Sequence, residues 1–457
     1  MTSIQRIAGM TRQRAAARRA LALAALALPM LLGACNVDDI LAVNDPDIVT
    51  PENLSGPAGL ATLRAGALGD FALALSGSAA GHGSTPGLIH FTAAFTDEVT
   101  YAGTFPTRRE VDERRILERN SEMTNVYRNL HRARAAAENA AARLETVGAD
   151  PAQDPRIAEM RSIAGYTYLA FGENYCSGVP ISTARENGQL DFGEPQTTVA
   201  LLETALARFD AALTNTAGDD QQEWLARVGR GRALLNLGRF ADAATAVAPV
   251  PTNFVYRVEY SSNSLRQQNG VFQLTGVDRQ FSVGEAEGGN GLAYRSTADP
   301  RVPWKRTEGE VGQDGSTPFY LQQKYPNPSA PTPLATGVEA RLIEAEAALQ
   351  ANDVARFAQI HTQLRGTVGL GPMAVAGLSR GALVDAHFRE RAFWQWLTAQ
   401  RLADLRRLVR QYSRTAESVF PSGPYFKGGS FGPDVNFPIP IEEQNNPNYK
   451  GCLDRNA

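Results

Sequence analysis

The stretch 226–248, ARVGRGRALLNLGRFADAATAVA, decides the fold class of this chain. Small residues recur along its first half, and Leu237-Gly238 separates them from Phe240-Ala241 and the alanines that follow. Because glycine weakens the interior of a helix, Gly238 marks a short turn between two helices. Small residues let two such helices approach closely as an antiparallel pair. The stretch therefore predicts a helical pair.

The same pattern resembles the tetratricopeptide repeat, in which helical pairs stack into an array. Looser versions combine Tyr166–Phe171 with Val199–Leu213, and Arg341–Leu349 with Val354–Leu364. Apolar residues at helical spacing also predict helix over Glu110–Val147 and Leu383–Arg410. We therefore expect a mainly α fold: a tetratricopeptide-like scaffold of helical pairs with long irregular loop insertions and a few short strands.

Two irregular segments, 76–107 and 251–333, are dense in Gly, Asn, Ser, Pro and aromatic residues. Within the second, Phe254–Glu259 and Gly270–Leu274 alternate like short strands. Such long irregular stretches inside a helical protein are typical of functional surface. We expect one domain over 54–457, with the helical scaffold at 54–250 and 335–412. The loop-rich, ligand-side insertion is then 251–334 and the C-terminal tail 413–457.

Residues 1–34 are typical of a lipoprotein signal peptide. Four arginines at positions 12–19 precede the apolar run Ala20–Leu32, which is too short to cross a bilayer. Small residues, Gly33 and Ala34, then stand directly before Cys35. We predict cleavage before Cys35, acylation of its thiol, and a lipid-anchored extended segment over 35–53, so that the membrane is itself a partner.

Export changes how the remaining cysteines are interpreted. Once Cys35 is acylated, Cys176 and Cys452 are the only thiols left, in an oxidising compartment. A disulfide between them and two unrelated buried thiols are both compatible with the sequence.

Composition and motifs exclude several classes of function. A net charge of −3 argues against nucleic-acid binding, which needs a concentrated basic face. Histidines and cysteines lack metal-ligand spacing, so neither a metal nor a cofactor is expected. No GxSxG, HExxH or P-loop motif occurs, which argues against an enzyme. Asp97-Glu98 is the only acidic pair in a loop with aromatics nearby, which leaves a hydrolase as an alternative.

Aromatic residues outside helical stripes are the best candidates for ligand binding. Exposed rings flanked by Asn, Gln and Arg suit sugar faces or peptide side chains, because they offer flat apolar surface beside directional donors. The candidates are Phe95, Tyr101 and Phe105 in the first irregular segment, and Trp304, Tyr320 and Tyr325 in the second. The alternative is that each ring fastens its own loop to the scaffold.

Several motifs, in order along the chain, resemble the SusD/RagB family of nutrient-uptake lipoproteins. They are Asp39-Ile40-Leu41 to Asn44-Asp45-Pro46, Asp299-Pro300-Arg301, Glu339–Ala347, Glu390–Arg407 and Phe437-Pro438-Ile439-Pro440. The chain departs from the family at Gln400, where glycine is usual, and at Trp394 and Trp396, which replace a more acidic stretch.

The resemblance implies a surface protein that captures an oligosaccharide or peptide without catalysis. It also implies delivery to a TonB-dependent outer-membrane barrel of the SusC-like kind. Asp38-Asp39 is similar to the acidic surface-export signal of such lipoproteins. We therefore expect the protein at the outer membrane, lipid-anchored and facing the exterior. Alternatives are a lipid-anchored tetratricopeptide scaffold or a surface hydrolase.

Overall fold

Helices carry the scaffold of this protein. The computed structural model describes residues 56–185 and 189–456, so the signal peptide and Cys35 lie outside the described residues. The first eight main helices are α1 Pro57–Ser76, α2 Leu88–Phe95, α3 Pro106–Asp112, α4 Ser121–Val147, α5 Pro155–Asn174, α6 Thr198–Leu213, α7 Asp220–Asn236 and α8 Phe240–Val247. After the insertion come α9 Gly337–Gln350, α10 Val354–Gly366, α11 Arg380–Trp394 and α12 Arg401–Tyr412. The predicted mainly α, tetratricopeptide-like class is confirmed.

The stretch 226–248 forms the predicted helical pair, α7 and α8. The Asp219 side chain caps α7 by accepting the backbone N–H groups of Gln221 and Gln222, and Gly238 adopts a φ of 75° in the turn. A Cβ atom on Gly229 would lie 2.2 Å from the ring of Phe209 on α6. Glycine is thus required for α6 and α7 to pack closely, and the array continues from α8 to α9 and α10.

Helix α1 packs along α4 and α5 at one end of the array. By length and composition it is the one described helix that could also cross a membrane, with a mean hydropathy of 1.3 over Ala58–Ser76. One face of α1 packs on α4, and 39% of this apolar window is buried.

Short strands form antiparallel pairs among the loops of the described chain. β1 Val99–Tyr101 pairs with β7 Phe281–Val283, and β6 Val255–Val258 pairs with β10 Thr332–Thr336. The others are β2 Val179–Pro180 with β5 Pro195–Gln196, β3 Thr183–Ala184 with β4 Leu190–Asp191, and β8 Trp304–Lys305 with β9 Leu321–Gln322. The β1–β7 pair joins the two irregular segments, which lie far apart in sequence.

Three of the predicted elements differ from the structure. The segment Glu110–Val147 is not one helix, because Asn120 caps α4 by accepting the N–H groups of Glu122 and Met123. Gly270–Leu274 is not a strand. The Asn269 side chain accepts the N–H groups of Val271 and Phe272 and starts a helical turn, which continues into the π-helical Gln273–Val277.

The predicted single helix over Leu383–Arg410 is also wrong, because α11 and α12 are separated at residues 395–400. Leu397 and Ala399 there have positive φ angles of 53° and 64°. The Leu397 N–H donates to Glu98 Oε1 at 2.8 Å, and its carbonyl accepts from the Tyr325 hydroxyl at 2.8 Å. These partners from distant loops hold backbone groups that a continuous helix would need.

The C-terminal tail is tied back to α5. The structure joins Cys176 and Cys452 in a disulfide across a sequence separation of 276 residues. Beside it, the N–H of Cys176 donates to Phe437 O at 2.9 Å, and that of Ser177 donates to Asp454 O at 3.0 Å.

Candidate ligand-binding groove

Three of the predicted ligand-binding rings are core residues. Phe95 and Tyr101 are 0% exposed and Tyr325 is 1% exposed. Phe95 packs edge-on against Phe420 and Phe437, with centroid distances of 6.1 and 5.3 Å. The prediction is wrong for these three, because a ring enclosed by other rings offers no surface to a ligand.

Phe105 is half-buried and fastens its own loop, as the alternative reading expected. The guanidinium of Arg108 lies 4.5 Å from its ring centroid, and the ring of His82 lies 6.2 Å away. Its backbone N–H donates to the Tyr101 hydroxyl at 2.7 Å.

Trp304 and Tyr320 lie together on the surface of the insertion, both half-buried. Their rings meet edge to face at 5.5 Å. The guanidinium of Arg295 lies 3.6 Å from the Tyr320 ring centroid, and Arg306 Nη1 donates to the Tyr320 hydroxyl at 2.7 Å. The tyrosine is thus held in one orientation by cations and an aromatic edge.

Tyr320 lines a groove that we call the loop groove. It consists of two adjoining cavities of about 720 and 390 Å³ that share Thr317, Pro318 and Phe426. Its walls come from residues 100–109, 282–295, 314–320 and 424–431. The first irregular segment, the insertion and the C-terminal tail therefore meet at one place.

Lys427 fixes the point where these three segments cross. Its Nζ lies 2.7 Å from Asp314 Oδ2 and donates to Gly103 O at 3.1 Å. Although partial burial opposes ionisation of Asp314, hydrogen bonds from Lys427 and Thr317 hold the pKa of that carboxyl well below its usual range. Asp314 therefore stays charged, and the clamp persists at neutral pH.

The tail contributes an aromatic hairpin to the groove. Gly428 and Gly429, with φ angles of 96° and 82°, form its tight turn. Phe426 is 48% exposed at its tip, whereas Tyr425 is buried and donates its hydroxyl to Asp112 Oδ2 at 2.6 Å. Burial raises the pKa of Asp112 to about 8 despite this hydrogen bond. The sequence analysis missed Phe426, although the Gly- and aromatic-rich tail signalled an irregular surface segment.

The groove lining mixes both charge signs with aromatic surface. The smaller cavity, of about 390 Å³, is lined by Glu285, Glu287 and Arg295 beside Tyr320 and Phe426. Burial raises the pKa of Glu287, which accepts the Thr100 hydroxyl at 2.5 Å. Flat rings surrounded by fixed donors and acceptors can bind and orient a polyhydroxylated ligand.

The acidic pair Asp97-Glu98 does not lie in the groove. Asp97 is 0% exposed, and its carboxylate accepts hydrogen bonds from Nε and Nη2 of Arg401 at 2.7 and 2.8 Å. Burial raises the pKa of Glu98 to about 8, which would suit a proton donor, but this side chain is also 0% exposed. A hydrolase built on this pair is therefore wrong, because no substrate reaches it. Across the described ranges, no cluster of three or more His, Cys, Asp or Glu side chains could hold a metal ion.

The arrangement of helical array, loop insertion and hairpin defines the SusD-like fold. A SusD superfamily protein from Parabacteroides distasonis superposes with a TM-score of 0.66 at 14% identity, over 89% of this chain and 100% of its own. A SusD-like carbohydrate-binding protein from Bacteroides fragilis gives 0.65 at 14% identity, over 87% of this chain and 99% of its own. Surface glycan-binding protein A from Bacteroides uniformis gives 0.65 at 13% identity, over 87% and 99%. No family model matches the sequence, and no curated protein does.

Proposed function

We propose that this chain is a non-catalytic lipoprotein of the SusD/RagB type that captures an oligosaccharide in the loop groove and delivers it to a TonB-dependent outer-membrane transporter. The observation that carries the proposal is the pairing of Phe426 and Tyr320 in one cavity beside Arg295 and Glu285. Two solved proteins of the same fold are described as carbohydrate-binding and surface glycan-binding, which favours a glycan over a peptide.

The dimensions of the groove fit this role. Small-molecule sites generally occupy about 300–1,000 Å³, and the two cavities of about 720 and 390 Å³ each fall in that range. Because they adjoin, several sugar units can lie along them. Apolar sugar faces stack on rings, while hydroxyl groups exchange hydrogen bonds with fixed charged side chains.

Anchoring and delivery rest on different features. The signal peptide and Cys35 support export and acylation, and the Cys176–Cys452 disulfide is in keeping with an oxidising compartment. Mass spectrometry of the mature N-terminus would measure the acyl chains directly. A SusC-like barrel is the proposed recipient, because the motifs of this chain resemble the SusD/RagB family and that resemblance implies delivery to such a barrel.

We expect Phe426→Ala to weaken glycan binding by about fivefold, because an exposed ring contributes stacking worth about 1 kcal/mol. The side chain is 48% exposed, so the fold should be unaffected. Affinity electrophoresis against a panel of soluble polysaccharides identifies a ligand, and calorimetry with that ligand measures the change in Kd.

The matched control is Phe192→Ala, which removes a ring that is 44% exposed and lies outside the loop groove. It should leave Kd unchanged. Equal affinity of the Phe426→Ala variant and the parent would contradict the proposed site.

A further inference from the structure

A larger cavity, of about 820 Å³, lies between α1 and β6, away from the loop groove. It is lined by residues 64–73 of α1, by β6 (Val255–Val258) and the irregular residues 259–261 that follow it, and by the turn at 264–267. We call it the edge groove. None of its lining residues belongs to the loop groove, so it needs an explanation of its own.

The edge groove runs beside the backbone of β6. Seven consecutive residues, 255–261, line it. Side chains of successive strand residues point to opposite faces, so consecutive residues can line one cavity only if the cavity lies along the edge of the strand. The groove therefore faces the backbone of β6.

Among the described residues, no strand pairs with that edge of β6. The sheet contains only β6 and β10, which pair through a register from Val255–Thr336 to Val258–Thr332. In the described ranges, no further hydrogen bond reaches the backbone of Val255–Val258 from the opposite side. Alternate residues of an antiparallel strand direct their N–H and C=O groups away from the partner, so β6 offers donors and acceptors to an added strand.

The opposite wall leaves room for such a strand. Helix α1 presents Ala65, Gly66 and Gly69 to the groove, and a Cβ atom on either glycine would meet nothing within 4 Å. Two tyrosine hydroxyls brace the strand against the helices: Tyr256 donates to Glu159 Oε1 at 2.8 Å, and Tyr260 lies 2.5 Å from Ser76 Oγ. At about 3.3 Å per residue, the four residues of β6 span roughly 13 Å.

The charges exposed around the edge groove are mainly arginine. The side chains of Arg64 and Arg266 are 37% and 50% exposed, whereas their partners Glu159 and Asp70 are only 4% and 19% exposed. Arg257 on β6 is exposed and forms no ion pair within the described chain, and Glu259 is the one exposed carboxylate of the lining. The rim thus favours an acidic partner.

We propose that the edge groove binds an extended peptide segment with acidic side chains, which adds to β6 as a third strand. Backbone hydrogen bonds to β6 hold the peptide, the glycine-rich side of α1 accommodates its side chains, and Arg64, Arg257 and Arg266 select for carboxylates. This site is independent of the loop groove and of glycan capture.

The test uses the mature chain and a dye-labelled peptide, acetyl-Asp-Val-Thr-Val-Glu-Val-Asp-amide, in fluorescence anisotropy. Saturable binding is expected, and Gly69→Phe should weaken it by about tenfold or more because the ring fills the groove. Phenylalanine replaces a helical glycine there, so the helix is not weakened. Ala61→Phe, on the same helix but outside the lining, should leave binding unchanged.

Two further probes separate the components of recognition. N-methylation of alternate amides removes donors from one edge of the peptide and should abolish binding. Arg257→Glu should weaken binding of the acidic peptide several-fold. The control Arg119→Glu changes an exposed arginine outside the groove and should leave binding unchanged. Absence of saturable binding, equal binding of the methylated probe, or retention of affinity in Gly69→Phe overturns the proposal. Self-association of the parent chain that Gly69→Phe abolishes would assign the groove to a second copy and overturn it equally.

Discussion

Arg407→Met is expected to lower the free energy of unfolding by about 3–5 kcal/mol, since removal of one partner leaves an uncompensated buried charge. Arg407 on α12 donates to both carboxylate oxygens of Glu346 on α9, at 2.6 and 2.9 Å. The two side chains are 1% and 0% exposed. Although burial opposes ionisation, Arg407 and His387 hold the pKa of Glu346 well below its usual range. Without Arg407, burial would raise that pKa, and either the unpaired charge or its protonation costs stability. Urea unfolding measures the loss.

The matched control is Arg230→Met, which breaks an ion pair with Asp210 whose side chains are 28% and 50% exposed. That surface pair should contribute at most about 1 kcal/mol. Adding Glu346→Gln to Arg407→Met should recover part of the loss, because the unpaired charge disappears. If Arg407→Met and Arg230→Met cost the same, the buried pair does not join α9 to α12 as described.

Replacing both bonded cysteines, Cys176→Ala with Cys452→Ala, is expected to cost about 2–5 kcal/mol. The bond closes a loop of 276 residues in sequence separation, and a cross-link across so long a loop restricts the unfolded chain strongly. Calorimetry of the parent and the double variant measures the difference in their free energies of unfolding. Hydrogen exchange should also show faster opening of the tail segment that pairs with Ser177.

Chemical reduction supplies the control for this prediction. A thiol reductant should lower the stability of the parent to that of the double variant and leave the double variant unchanged. Equal stability of the parent under oxidising and reducing conditions would contradict a structural role for the bond.

Local signals in the sequence were sufficient for the helical scaffold. Gly238 and the small residues on both sides of it act within a few residues, so the pair α7–α8 follows from 226–248. The break at Leu397 could not be predicted, because its N–H is held by Glu98, 299 residues away in sequence. Helical spacing continues across the break, and only tertiary contacts decide it.

The candidate site was predicted at the level of segments, and of the six predicted rings only Tyr320 lines it. Both irregular segments reach the loop groove, yet Thr100, Thr104 and Pro106 line it where Tyr101 and Phe105 were expected. Composition identifies an irregular segment, whereas the direction of each side chain depends on packing between distant loops. Phe426 was missed because the tail meets the insertion through tertiary contacts that local sequence does not show, such as the Lys427–Asp314 ion pair and the hydrogen bond from Asn290 to Phe420 O.

The α12 motif that resembles the SusD/RagB family forms buried ion pairs. Arg401, Asp404 and Arg407 on α12 are buried and pair with Asp97, Arg391 and Glu346. They join the array to the first irregular segment and contact no cavity described above. The resemblance therefore predicts the fold, while the proposed ligand contacts lie on loop residues outside these motifs. Acylation of Cys35 stays a prediction.

The most direct test of glycan capture is the structure of the protein with a retained oligosaccharide bound. We predict sugar rings in the loop groove, stacked on Phe426 and Tyr320, with hydroxyl groups bonded to Arg295 or Glu285. An oligosaccharide seated between helices of the array, with the loop groove empty, would contradict the account and favour the tetratricopeptide scaffold.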